Sequence, residues 1–259
     1  MTFGNGNSSL ESLIATIRNH ACDFYRNRWG DASIESLPLT SRTDLRETPH
    51  SRRRYKEGKS LLKIVRDHGG SFLSEWNLDD IKNEQFGIPS QRPMVYFRNQ
   101  HETMEKALWC YTNGMVRLTG EANADLSVYT AERFQVDSLL CDAHSLSCMM
   151  PFFERITQPL ESLSIIASSF DTKTLAPYQK FALRMRLVLS LPECGAFAEA
   201  PLTETLEFSP HADCAIEYED GRLVLSKNTL LVTPIIRYDT GLRASPTSGN
   251  RFVLSSASA

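Results

Sequence analysis

The chain has 259 residues, 41% of them hydrophobic and 23% charged, with a net charge of −3 at pH 7. Such a length can bury a large core, and so small a net charge creates no field that would draw nucleic acid or an acidic membrane. No apolar run reaches the roughly 20 residues that a bilayer span requires, and residues 1–9 are rich in Gly, Asn and Ser without a charged start or an apolar signal core. A cytoplasmic protein is the expectation. The six cysteines, Cys22, Cys110, Cys141, Cys148, Cys194 and Cys214, form no CxxC pair. They read as small buried groups in a reducing compartment rather than as a zinc ribbon or a disulfide framework.

In chain order, Ser8 and Glu11 make a capping box ahead of Leu10, Leu13, Ile14, Ile17, Phe24, Tyr25 and Trp29 at helical spacing. Residues 42–66 are basic, with Arg52, Arg53 and Arg54 in succession. A helix carrying Leu61, Leu62, Ile64 and Val65 is predicted to stop at Gly69-Gly70. Residues 93–97 read as a short strand, and Asn99 as the cap of a helix built on Met104, Ala107, Leu108 and Tyr111. Residues 126–130 and 136–141 then read as extended, 145–156 as helical, 163–167 as a strand, 174–185 as a helix and 187–191 as a strand.

This alternation points to an α/β sheet with crossover helices. After Pro201, strands are predicted at 205–208, 214–218, 222–225 and 230–236, with Asp220-Gly221 as a hairpin turn. The expected division is an α/β part with N-terminal helices over 1–200, a β-rich subdomain packed on it over 201–245, and a flexible tail over 246–259.

Four stretches together resemble the adenylate-forming (acyl/aryl-CoA ligase) superfamily, in its phenylacetate-CoA ligase branch. Phe24-Tyr25-Arg26-Asn27-Arg28-Trp29, followed by Leu37-Pro38-Leu39-Thr40-Ser41-Arg42-Thr43-Asp44-Leu45-Arg46, is similar to the family's opening. Leu163-Ser164-Ile165-Ile166-Ala167 sits where the strand before its GGEP turn belongs. The sequence LVLSLPECGAFAE, residues 187–199, falls at its YGxTE motif. Residues 231–243, LVTPIIRYDTGLR, resemble the strand and turn that grip the ribose of ATP.

The resemblance spans most of 20–245. It implies an α/β fold like the N-terminal domain of adenylate-forming enzymes, with mixed sheets, crossover helices and a β-rich C-terminal part. The implied activity is activation of a carboxylate with ATP and Mg²⁺, followed by transfer of the acyl-adenylate to a thiol. On this alignment Glu193 is the magnesium ligand and a catalytic residue. Arg237, Tyr238 and Asp239 are nucleotide-binding, and Ser168, Phe170, Leu189 and Phe197 lie about the substrate pocket. Cys194, beside Glu193, is a candidate carrier of a transient acyl group.

The chain departs from the pattern at three places. The aromatic and glycine before the family's glutamate are replaced by Leu189 and Ser190. The phosphate loop is reduced to residues 87–93 with one glycine, or to Gly69-Gly70-Ser71, and one glycine cannot supply several unhindered N–H donors. Arg92 offers an anion a point contact there, or is an ordinary solvated arginine. Leu242 stands where a ribose-binding aspartate is expected, and no cap domain with its lysine is expected after the motif.

Other constellations are weaker. Cys194, His211 and Cys214 could ligate zinc or be incidental to a packed hairpin. Asp142, His144 and Ser145 lack a nucleophile elbow. The Arg52–Arg54 run is either a solvated helix face or a surface for RNA or an acidic carrier protein.

Two functional readings follow. One is a diverged ligase-like protein that activates or transfers a small carboxylic acid in a biosynthetic pathway, using ATP and Mg²⁺. It would act with a carrier protein or a complementary subunit that supplies the cap. The other is a non-adenylating relative that keeps the pocket for a ligand or a protein partner, without cofactor. In both, the small-molecule partner is a carboxylic acid or an acyl thioester, with no nucleic acid and no membrane.

Overall fold

The computed structural model describes residues 7–20, 23–54, 60–67, 70–77, 92–97, 116–117, 124–228 and 233–255. The chain forms two compact units. One comprises Met1–Asp80, Pro192–Cys194 and Pro210–Ala259, and the other Ile81–Leu191 and Gly195–Ser209. The division is thus discontinuous in sequence, whereas the sequence reading draws contiguous parts over 1–200, 201–245 and 246–259.

The first unit opens with helices α1 (Asn7–His20) and α2 (Asp23–Trp29). Leu10, Leu13, Ile14 and Ile17 recur on one face and pack with Tyr25, Trp29, Leu37 and Ile236. Helix α3 (Arg42–Glu47) starts at a capping box in which Ser41 Oγ accepts from the Asp44 N–H and the Asp44 carboxylate accepts from the Ser41 N–H. Helix α4 (His50–Arg53) follows.

The helix predicted around Leu61–Val65 is instead strand β1 (Ser60–Asp67), paired antiparallel with β2 (Gly70–Asn77). A short apolar run does not by itself separate strand from buried helix. Here Val65 lies opposite Phe72, both buried, so antiparallel pairing with β2 decides for the strand.

The second unit is a mixed sheet with helical crossovers. Its elements are β3 (Pro93–Tyr96), β4 (Val116–Arg117), α5 (Ala124–Arg133), β5 (Ser138–Asp142), α6 (Ala143–Cys148), α7 (Met150–Phe153), β6 (Ser162–Ala167), α8 (Thr172–Leu175), β7 (Met185–Leu191), β8 (Gly195–Pro201) and β9 (Glu207–Pro210). The strand order is β9-β8-β7-β6-β5-β3-β4. Strands β4, β3, β5, β6 and β7 are parallel and β8 runs antiparallel to β7.

The parallel strands β5 and β6 are buried almost throughout, as expected when crossovers cover both faces of a sheet. Residues 126–130, read as extended, belong to α5, which buries Val128 and Ala131 three positions apart. The helix read over 174–185 ends early. Pro177 lies in a 3₁₀ turn, Ala176–Phe181, and β7 begins at Met185. The helix expected around Met104–Tyr111 lies outside the described residues.

The first unit resumes with β10 (Cys214–Glu219), β11 (Arg222–Lys227), β12 (Tyr238–Pro246) and β13 (Phe252–Leu254), each antiparallel to the next. The strand expected over 230–236 is displaced. Residues 229–232 lie outside the described residues, and 233–236 form no strand. Pro234 has no N–H to give a ladder and Arg237 has φ +44°, so regular pairing starts at Tyr238. Strand β13 falls within the stretch read as a tail, and its Phe252 is fully buried.

Candidate functional site

Glu193 gathers the polar groups of the candidate site. It is 4% exposed and belongs to the Pro192–Cys194 segment of the first unit. Arg42, the first residue of α3, donates to its Oε1 through Nε at 3.0 Å and Nη2 at 2.6 Å. The Tyr238 hydroxyl, at the start of β12, donates to the same oxygen. Oε2 is buried and has no hydrogen-bond partner.

The three residues meet because Thr40 forms a parallel bridge with Tyr238, which carries α3 alongside β12. In that bridge the Thr40 N–H donates to the Arg237 carbonyl and the Asp239 N–H to the Thr40 carbonyl. Burial alone would lower the Arg42 guanidinium, but the Glu193 carboxylate outweighs it, so the group rises further above its ordinary value. Burial, the Cys194 side chain and Glu193 push the Tyr238 phenol far up, so it remains a donor.

The Arg237–Leu242 stretch is engaged within the chain. The Arg237 guanidinium pairs with Glu219 at 2.7 Å and Glu217 at 3.3 Å and donates to the Leu37 carbonyl. Its own N–H donates to Ser226 Oγ at 2.9 Å, so side chain and backbone together hold the left-handed φ. Asp239 receives Arg222 Nη1 on Oδ2 at 2.6 Å and the Gly241 N–H on Oδ1 at 3.0 Å. Leu242 follows on β12 and has no acceptor in its side chain. Beside this stretch lies a groove of about 840 Å³, walled by Leu37, Pro38, Leu39, Ile216, Glu217 and Tyr218 with Arg237.

Cys194 and Cys214 are buried free thiols near enough to Lys227 to feel its charge. Lys227 is itself buried, 3.8 Å from Asp213. Among the described residues no group of three or more His, Cys, Asp or Glu side chains is placed to hold a metal ion, and that includes Cys194, His211 and Cys214.

The residues expected about the substrate pocket lie in the second unit. Leu189 and Phe197 are fully buried on β7 and β8, in strands that pair with each other. Ser168 is exposed after β6, and Phe170 stacks on Phe208 at 6.0 Å. The Asp142, His144 and Ser145 trio is a helix cap, in which Asp142 accepts the Ser145 N–H at 2.6 Å. Arg92 donates to Gln135 at 2.9 Å and pairs with Asp137 at 3.5 Å; residues 87–91 of the suggested phosphate loop lie outside the described residues. The Arg52–Arg54 run is not a uniform surface. Arg53 is 2% exposed, donates to the Thr48 and Leu73 carbonyls and lies over the Phe72 ring.

The sequence reading singled out Glu193, Tyr238 and Asp239. It quoted Arg42 only as part of a motif, because nothing local signals a partner 151 residues away.

No family model and no curated protein matches the sequence. Solved structures do match. A 2-hydroxyisobutyryl-CoA ligase, in the postadenylation state in complex with R3-HIB-AMP, matches 96% of this chain and 65% of its own with a TM-score of 0.72 and 12% identity. The same enzyme in an open conformation, in complex with 2-HIB-AMP and CoA, gives 0.71 over 95% of this chain and 72% of its own. Unliganded O-succinylbenzoate coenzyme A synthetase from Bacillus subtilis gives 0.56 at 9% identity, over 76% of this chain and 49% of its own.

The fold is therefore the α/β fold of the adenylate-forming acyl-CoA ligases. The chain spans about two thirds of the first enzyme's length and about half of the second's.

Proposed function

We propose that the chain is a diverged acyl-CoA-ligase-fold protein that binds a small carboxylic acid or its thioester and does not by itself adenylate it. The observation that carries this reading is the state of Asp239. Both of its oxygens already accept hydrogen bonds, one from an arginine and one from the backbone, and the next candidate position is Leu242. A ribose buried there would find no acceptor at Leu242 and would have to share the Asp239 oxygens with Arg222 and the Gly241 N–H, and an unmatched buried polar group costs about 1–3 kcal/mol. With Leu242 in place of a carboxylate and Asp239 engaged by Arg222, the residues present fit the ribose of ATP poorly. The phenylacetate-CoA ligase likeness of residues 24–46 favours a small aromatic or acyl acid as the ligand.

The reading in which a partner chain supplies a cap and the acid is activated for a biosynthetic pathway is favoured by one observation. Glu193, the counterpart of the family's magnesium ligand, keeps a buried oxygen, Oε2, without a partner.

The test is calorimetry with Mg²⁺-ATP, beside a panel of aromatic and fatty acids and their CoA thioesters. Binding of an acid or thioester with no heat from ATP is expected. ATP binding with carboxylate-dependent pyrophosphate exchange would overturn the proposal in favour of the ligase reading.

A further inference from the structure

The charge of Glu193 is answered from inside the chain. Two N–H groups of Arg42 and the Tyr238 hydroxyl converge on one carboxylate oxygen, in a residue only 4% exposed. The Glu193 side chain is 2% exposed and that of Arg42 33%, so the carboxylate is buried and its guanidinium partner only partly so. A site for a hard divalent cation has the opposite construction. Several oxygens face one position, part of the shell is water, and no cation stands beside it. A guanidinium nitrogen at 2.6 Å occupies Oε1, leaves only Oε2 to a metal, and repels a second positive charge. Displacing it would also separate Arg42 from Glu193 and cost the pair its short contact.

We propose that Arg42 is the permanent counter-ion of Glu193, a built-in guanidinium in place of a divalent cation, so that ligand binding at this site does not depend on Mg²⁺. Arg42 is a positioning residue on this account, since it acts through Glu193. The inference deepens the non-adenylating reading and rests on it for the ligand alone; the counter-ion role is measurable on the protein by itself.

Mn²⁺ alone is titrated into the wild-type and Glu193→Gln proteins and followed by water-proton relaxation. Urea unfolding is measured for the wild type, Arg42→Gln, Glu193→Gln and the double variant. The wild type is expected to show no Mn²⁺ site that Glu193→Gln abolishes. Arg42→Gln strands a buried carboxylate, so its unfolding equilibrium is expected to lie about tenfold further toward the unfolded state than that of the double variant.

A pair that merely packs would give the reverse order, with the double variant the weaker. That order, or a Glu193-dependent Mn²⁺ site in the wild type, overturns the proposal. Should Arg42→Gln fail to fold while the double variant folds, the proposal is supported; should neither fold, the Mn²⁺ comparison decides. ATP binding without a Glu193-dependent Mn²⁺ site would sink the functional reading above and leave this inference standing.

Discussion

The Tyr25 hydroxyl donates a 2.7 Å hydrogen bond to the Pro234 carbonyl, joining positions 209 residues apart. Tyr25 is fully buried, with its ring 4.8 Å from those of Phe24 and Trp29, and Ile236 packs in the same cluster. The N-terminal helices thus hold the segment that delivers Tyr238 to Glu193. Tyr25→Phe keeps the ring packing and leaves the carbonyl unmatched. A loss of about 1 kcal/mol is expected from urea unfolding, and an unchanged midpoint would show that the bond does not hold this segment.

Arg53 and Arg52 make a sharper contrast. Arg53 is enclosed and gives hydrogen bonds of 3.0 Å and 2.8 Å to the Thr48 and Leu73 carbonyls, whereas Arg52 is exposed. Arg53→Leu is expected to cost about 3 kcal/mol, because charged donors are lost and two carbonyls are left without them. Arg52→Ala should stay within about 0.5 kcal/mol. Equal effects in denaturant titrations would contradict the inward placement of Arg53.

The alkaline limb of stability follows from the thiols. Burial raises Cys194, with Glu193 adding to it. Burial also raises Cys214, where Lys227 pulls the other way and Asp213 adds. In the folded chain these thiols keep their protons above the ordinary value of 9.0, where the unfolded chain releases them. The unfolded state then binds fewer protons, so stability falls as pH rises past about 9 and is untouched by these groups well below it. Urea midpoints across alkaline pH should decline in the wild type and less steeply in a Cys194→Ala/Cys214→Ala variant. The same thiols should resist alkylation at neutral pH until the chain is unfolded, and rapid labelling of the native protein would refute the burial argument.

At the β10–β11 turn, Asp220 and Gly221 have φ of +52° and +73°, between the paired residues Glu219 and Arg222. A methyl group at 221 would come no nearer than 3.9 Å to Arg243, so space is not the obstacle. Gly221→Ala should cost about 1 kcal/mol from the left-handed backbone alone, read as a lowered urea midpoint. A neutral effect would mean that the turn relaxes.

That turn was legible in the sequence because its chemistry is local: two residues suited to positive φ between alternating strands. The parallel strands β5, β6 and β7 were legible for a similar reason, as short apolar runs between helical stretches. Elements whose identity depends on distant partners were not. Leu61–Val65 reads as helix until Phe72 is set opposite Val65, and residues 126–130 look extended until Val128 and Ala131 are seen to share a buried face. In the site, Glu193 and Tyr238 could be picked out by likeness to known motifs. That a single carboxylate oxygen would unite them with Arg42 could not, because the three residues come from segments with no local relation.

The three-residue segment that carries Glu193 interrupts the second unit between β7 and β8, although it belongs to the first. No contiguous piece of the chain that omits residues 81–191 can therefore hold Arg42, Glu193 and Tyr238 together. In sequence, the segment follows directly on β7, which ends at Leu191, and precedes β8, which begins at Gly195. A fragment cut after β2 would retain Arg42 without Glu193, and one beginning at β10 would retain Tyr238 without it. The site is therefore a property of the whole covalent chain, because residues 81–191 lie in sequence between Arg42 and Glu193.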